Sequence, residues 1–196
     1  MKKLLGLLLI CSTVFVHAEK KPVNMFYDGD TSALLVDKDT FFVDVTDEVK
    51  GGCLPKPKQL KVSMESALKK HGFKVAKKNN YMTPKVRIST LGFRINGMCV
   101  VDFTVTISFP IVAEVPNAQN VPSGNRTLLY YNYYVGRHLF NYNRRRMQKT
   151  LNKYVKKYGD DIYMSIAKSK DKIYTKFPSI EEELKKKKEK ENSEKK

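Results

Sequence analysis

The stretch Lys85–Phe109, KVRISTLGFRINGMCVVDFTVTISF, decides how this chain folds. Asn96-Gly97 at its centre reads as a type I′ turn, because both residues tolerate the positive φ that such a turn demands. The runs on either side alternate. Lys85 to Phe93 is one strand, and Cys99 to Phe109 is its antiparallel partner. Val101, Phe103, Val105, Ile107 and Phe109 face one way, while Asp102, Thr104, Thr106 and Ser108 face the other. A sheet with one face on a core and one in water produces this pattern.

Upstream of the hairpin, Phe41–Thr46 alternates as a further strand, with Phe41, Val43 and Val45 on one side. Gly51 to Pro57 is a linker whose last proline suits the first turn of a helix. Leu60, Met64, Ala67 and Leu68 then fall at i, i+4, i+7 and i+8, and Gly72 stands where a helix C-terminal glycine belongs. Phe73-Lys74-Val75 opens the next extended segment. Downstream, Pro110, Pro116, Pro122 and Ser123-Gly124-Asn125 mark a loop of about 15 residues, long enough to be functional or mobile. Arg126–Phe140 is a Tyr-rich strand. Asn143 caps a long helix whose apolar stripe is Met147, Leu151, Tyr154, Val155, Tyr158, Ile162 and Ile166; Gly159 could end or kink it, but the stripe continues past that point. The expected fold is α+β: an antiparallel sheet of four or five strands with two helices packed on one face.

The N-terminus reads as an address. Lys2 and Lys3 precede an apolar run from Leu4 to Val16, and Val16-His17-Ala18 offers a small-residue cleavage site. The run is too short to span a bilayer as a helix. Ile10 before Cys11 argues against lipidation there. The expectation is a secretory signal over residues 1–18, one domain over 19–177, and a charged disordered tail over 178–196. The short Lys-Lys signal suggests a bacterial host and a periplasmic or secreted protein. Loss of Lys2 and Lys3 takes the formal net charge from +17 to +15. Cys53 and Cys99 remain as an even pair, expected to form a disulfide in an oxidising compartment.

No catalytic motif stands out. There is no nucleophile elbow, no zinc-protease helix and no phosphate-cradling glycine loop. His71 lies at a helix C-terminus, where a structural role is the ordinary one, and His138 has no acidic neighbour in sequence. The expectation is a protein without catalytic residues, metal or cofactor. Residues 28–48 carry seven acids against one base, and Asp28-Gly29-Asp30 within them lacks the frame of a calcium loop. Asn125-Arg126-Thr127 matches a glycosylation sequon, which carries little meaning in a bacterial host.

The positive signal is electrostatic. From Val115 to Gly159 there is no acidic residue but nine basic ones. At about 100° per residue, Arg145, Arg146, Lys149, Lys153, Lys156 and Lys157 share one arc of the last helix, opposite the apolar stripe. Arg137, Tyr131 and Tyr133 on the preceding strand complete the candidate surface. Basic residues interleaved with aromatics bind phosphates and stack on bases or sugars, although a Lys-rich ridge is also the ordinary wet side of a helix.

Glu65-Ser66-Ala67-Leu68-Lys69-Lys70-His71-Gly72-Phe73-Lys74-Val75, running into Val86-Arg87-Ile88 and the Cys99–Phe109 strand, resembles small periplasmic envelope-assembly proteins, the outer-membrane lipopolysaccharide-assembly lipoprotein family among them. The resemblance covers residues 58–109 and implies a noncatalytic envelope protein. It transfers no binding residue. Three functions follow as expectations: a binding or accessory protein engaging an anionic partner such as lipopolysaccharide or an acidic envelope or secreted protein, an inhibitor or immunity protein for a secreted effector, or a secreted nucleic-acid binder.

Overall fold

The computed structural model of the protein describes residues 31–114 and 126–193. Five strands form one sheet: β1 (Thr40–Val49), β2 (Lys74–Val75), β3 (Lys85–Ile95), β4 (Met98–Glu114) and β5 (Arg126–Asn143). Three α-helices accompany them, α1 (Lys58–Lys70), α2 (Arg144–Lys176) and α3 (Pro178–Ser193), with a short 3-10 turn over Thr31–Leu35. The fold is α+β, with α1 and α2 packed on one face of the sheet.

The central hairpin has the turn its sequence demands. Asn96 and Gly97 have φ of 46° and 81°, and β3 and β4 pair antiparallel from Ile95↔Met98 outward. β4 continues past Phe109 to Glu114, so the segment expected to begin a loop at Pro110 is strand instead. Lys85 pairs with Ser108 at the end of the β3 ladder, so from Pro110 onward β4 has only β5 beside it. A residue without an N–H is tolerated where one side of a strand has no partner. The rest of the expected loop, with Pro116, Pro122 and the sequon's Asn125, lies outside the described residues, as do the signal segment and Asp28-Gly29-Asp30.

Strand order is β2-β1-β3-β4-β5, and the sheet is mixed rather than purely antiparallel. β1 runs parallel to both of its neighbours. Alternation reports which side chains share a face but not the direction of the neighbouring strand. Parallel pairing requires a crossover, and α1 supplies it between β1 and β2.

Buried faces interlock as the periodicities require. Phe41, Val43, Val86, Ile88, Phe103 and Val105 on the sheet meet Leu60, Met64 and Leu68 of α1 and Met147, Leu151 and Val155 of α2, all of them fully buried. Cys53 and Cys99 are joined in a disulfide with Cα atoms 5.6 Å apart, tying the linker before α1 to the turn end of the hairpin.

Gly159 neither ends nor divides α2. It is where the two helices touch: a Cβ at this position would lie 2.4 Å from the Ala67 Cβ of α1. Gly159→Ala gains about 1 kcal/mol of helix propensity but forces the helices apart, an overpacking worth about 1–3 kcal/mol. Urea unfolding should show a net loss, and adding Ala67→Gly should restore most of it. A stable Gly159→Ala single variant would refute the close approach.

Within the charged segment expected to be a disordered tail, residues 194–196 lie outside the described residues and Pro178–Ser193 forms helix α3. Its residues are good helix formers, Glu181 and Lys185 bridge at i,i+4 (2.8 Å), and it packs on α2.

Candidate functional site: a basic groove along α2

β5 passes into α2 without a loop. Asn143, extended at φ −65°, ψ 157°, accepts a hydrogen bond on its side chain from the Arg146 N–H (3.0 Å), the expected N-cap. The cap fixes the rotation of α2. Met147, Leu151 and Val155 point into the core, and Arg145, Arg146, Lys149, Lys153, Lys156 and Lys157 are turned out.

Those six cations line an open groove of about 980 Å³ with Gln59 of α1 and Gln148, Thr150, Asn152 and Asp160 of α2. A polar floor crosses between the helices. The Gln148 carbonyl accepts from the Lys56 backbone N–H at 3.0 Å, and the Gln148 amide donates to Asn152 Oδ1 at 3.3 Å. The Asn152 amide in turn donates to Gln59 Oε1 at 3.5 Å. Sequence reading passed over these amides, although Gln148 and Asn152 stand at i,i+4 beside the ridge.

Among the described residues none of the six cations is in an ion pair. Asp160 is already engaged. Its Oδ1 shares a 2.6 Å hydrogen bond with His71 Nε2 and lies 3.4 Å from Lys70 Nζ. The His71 hydrogen bond, set against some desolvation and aided by Lys70, holds the Asp160 carboxyl below its ordinary pKa. His71 also stacks on Tyr163, ring centres 4.2 Å apart, so the histidine ties α1 to α2.

A carboxyl lowered by folding adds stability above its unfolded pKa, and that stability fades as pH falls through the lowered value. Asp160→Asn should therefore flatten the fall in the urea midpoint below about pH 4. An acid limb identical to the parent's would refute the linkage.

The first turn of α2 is unusual. Arg144, Arg145 and Arg146 occupy the positive end of the helix, and no acid stands in that turn. A cation placed there opposes the macrodipole at about 0.3–1 kcal/mol each. Local rules are broken at functional sites more often than elsewhere.

The structure does not gather the other candidate residues onto this groove. Arg137 is on the helix-free face of the sheet, where its guanidinium makes a two-pronged pair with Asp102. That pair raises the Arg137 pKa and lowers the Asp102 pKa, so the arginine's charge is already answered. Tyr131 lies against Phe109 with ring centres 5.6 Å apart, and Tyr133 packs partly buried on the core. Both belong to the sheet layer, as does His138, which sits among Phe140, Tyr154 and Tyr158. Tyr158 is there to pack: a Cβ on Gly136 would strike its ring at 2.6 Å.

No protein-family model matches the chain, and no curated protein matches it. Among solved structures, a minor lipoprotein from Acinetobacter baumannii overlaps 68% of this chain and 92% of its own, at 13% identity and a TM-score of 0.34. An uncharacterized protein overlaps 66% and 92%, at 14% identity and a TM-score of 0.34. Likenesses this distant carry neither fold nor function across.

Proposed function

We propose that this is a noncatalytic periplasmic or secreted accessory protein that holds an anionic partner in the basic groove of α2. The observation that carries the reading is the groove itself: six outward cations without ion pairs beside a single acid committed to His71 and Lys70. Neutral amides from both helices add hydrogen-bonding groups between the charges, which suits phosphate or carboxylate oxygens. The Cys53–Cys99 disulfide supports an oxidising compartment. No described helix is long and apolar enough to cross a membrane.

The test is binding of the oxidised full chain to immobilised lipopolysaccharide and to a DNA duplex, each titrated at low and high salt. Binding in the groove predicts affinity falling steeply with salt, on the order of 10³-fold between about 50 and 200 mM if six contacts form. Binding indifferent to salt, or absent for both ligands, overturns it.

A further inference from the structure

The helix-free face of the sheet should be polar, and over most of its area it is. It changes at the hairpin. The register brings Ile95 opposite Met98, and one row further in brings Phe93 opposite Val100. Phe93 and Ile95 are each 49% exposed and Met98 39%. In the next row Leu91 and Leu139 flank Asp102 and are more exposed still. Apolar side chains therefore cover the open face from the turn inward, on a sheet whose other face is already buried under two helices.

The end of the molecule that carries this tip is basic. Arg94 lies between Phe93 and Ile95 in sequence, and its side chain leaves the strand on the other face, beside Gly51 and opposite Cys99, at the same end of the sheet. Lys50 donates its backbone N–H to the Gly92 carbonyl, which places it beside the same rows. Arg144 follows Asn143, the partner of Met98, and its guanidinium lies over Gly52. Acids are absent from the two outermost rows. The first are Glu48 and Asp102, level with Leu91, and Asp102 is held by Arg137; Asp47 accepts a hydrogen bond from Thr90.

We propose that the β3–β4 hairpin tip docks this protein on an anionic lipid surface, with Ile95, Met98, Phe93 and Val100 entering the headgroup boundary and Lys50, Arg94 and Arg144 meeting lipid phosphates. Three features favour that occupant. The collar has the sign that anionic lipid attracts. The acid-free rows span about 7 Å at roughly 3.4 Å per residue, within the 5–10 Å that interfacial elements bury. A net charge of +17 opposes stacking a second copy on the same face. The surface is separate from the α2 groove, and the proposal does not depend on what the groove binds.

The chain contains no tryptophan, so one introduced indole reports its surroundings alone. The oxidised full chain is sedimented with vesicles of equal phosphatidylglycerol and phosphatidylcholine, and with phosphatidylcholine alone. Binding to the anionic vesicles only is expected. Phe93→Ser with Ile95→Ser should weaken it by at least about tenfold, since two half-exposed apolar groups no longer enter lipid. Ile95→Trp should shift its emission to the blue on binding and be quenched by lipids brominated on their acyl chains. Tyr81→Trp, in the exposed loop before β3, should not.

If the serine pair unfolds the protein, Arg94→Glu with Arg144→Glu tests the same surface, because an acid at the start of α2 suits the helix. Loss of vesicle binding with an unchanged thermal midpoint is expected. Three outcomes overturn the proposal: no binding to anionic vesicles; binding unaltered by the serine pair with the Ile95→Trp indole unquenched; or a dimer in vesicle-free solution that the serine pair dissociates.

Discussion

Replacing Lys149, Lys153, Lys156 and Lys157 by glutamate should abolish binding to lipopolysaccharide or DNA while leaving the thermal midpoint nearly where it was. The four substitutions change the charge of one groove by eight units. Each removes a contact that releases a counterion and puts repulsion in its place, so the salt slope should collapse along with the affinity. A loss of 10³-fold or more is the expected scale. Stability should move little because all four side chains are exposed and in no ion pair, and such surface changes usually stay within about 0.5 kcal/mol each. Glu at 149 also gains Arg145 as an i,i−4 neighbour, offsetting part of the new repulsion. Normal binding by the quadruple variant would reduce the groove to a solvated helix face.

Cys53→Ala with Cys99→Ala should cost the fold roughly 3–4 kcal/mol, the chain-entropy value for a bridge across 46 residues. Both cysteines are fully buried, and alanine leaves no polar atom there to be satisfied. For a domain of this size the loss corresponds to a drop of about 10 °C or more in the thermal midpoint. Dithiothreitol added to the parent should reproduce the shift. A change below about 1 kcal/mol would mean that the unfolded chain is already restrained without the bridge.

Local signals were the legible ones. Asn96-Gly97, the Asn143 cap, the α2 stripe and the Gly72 exit from α1 each reside in a few neighbouring residues, and each stands in the structure where the sequence puts it. The direction of β1 was not legible, because period-two alternation is the same in parallel and antiparallel strands. The stripe running past Gly159 shows that α2 continues, while the reason for a glycine there is set by Ala67 on another helix. Of the candidate surface, the α2 arc follows from helical periodicity alone. Arg137 does not join it, because residue parity on β5 sends that side chain to the opposite face, into the reach of Asp102. The apolar tip had a signal that sequence reading left unused. Val86 and Ile88 fall on one parity and Leu91, Phe93 and Ile95 on the other, so the apolar side of β3 switches from the helix-covered face to the open face toward the turn.

The parallel pairing of β1 with β3 constrains the order of assembly. β3 and β4 are neighbours in sequence and zip from their turn at little entropic cost, whereas β1 reaches β3 only after the intervening segment with α1 has closed on itself. Cys99 belongs to the early hairpin and Cys53 to the late segment, so oxidation locks the slow step rather than the fast one. A reduced chain entering an oxidising compartment would thus already carry the hairpin and acquire its bridge as β1 arrives.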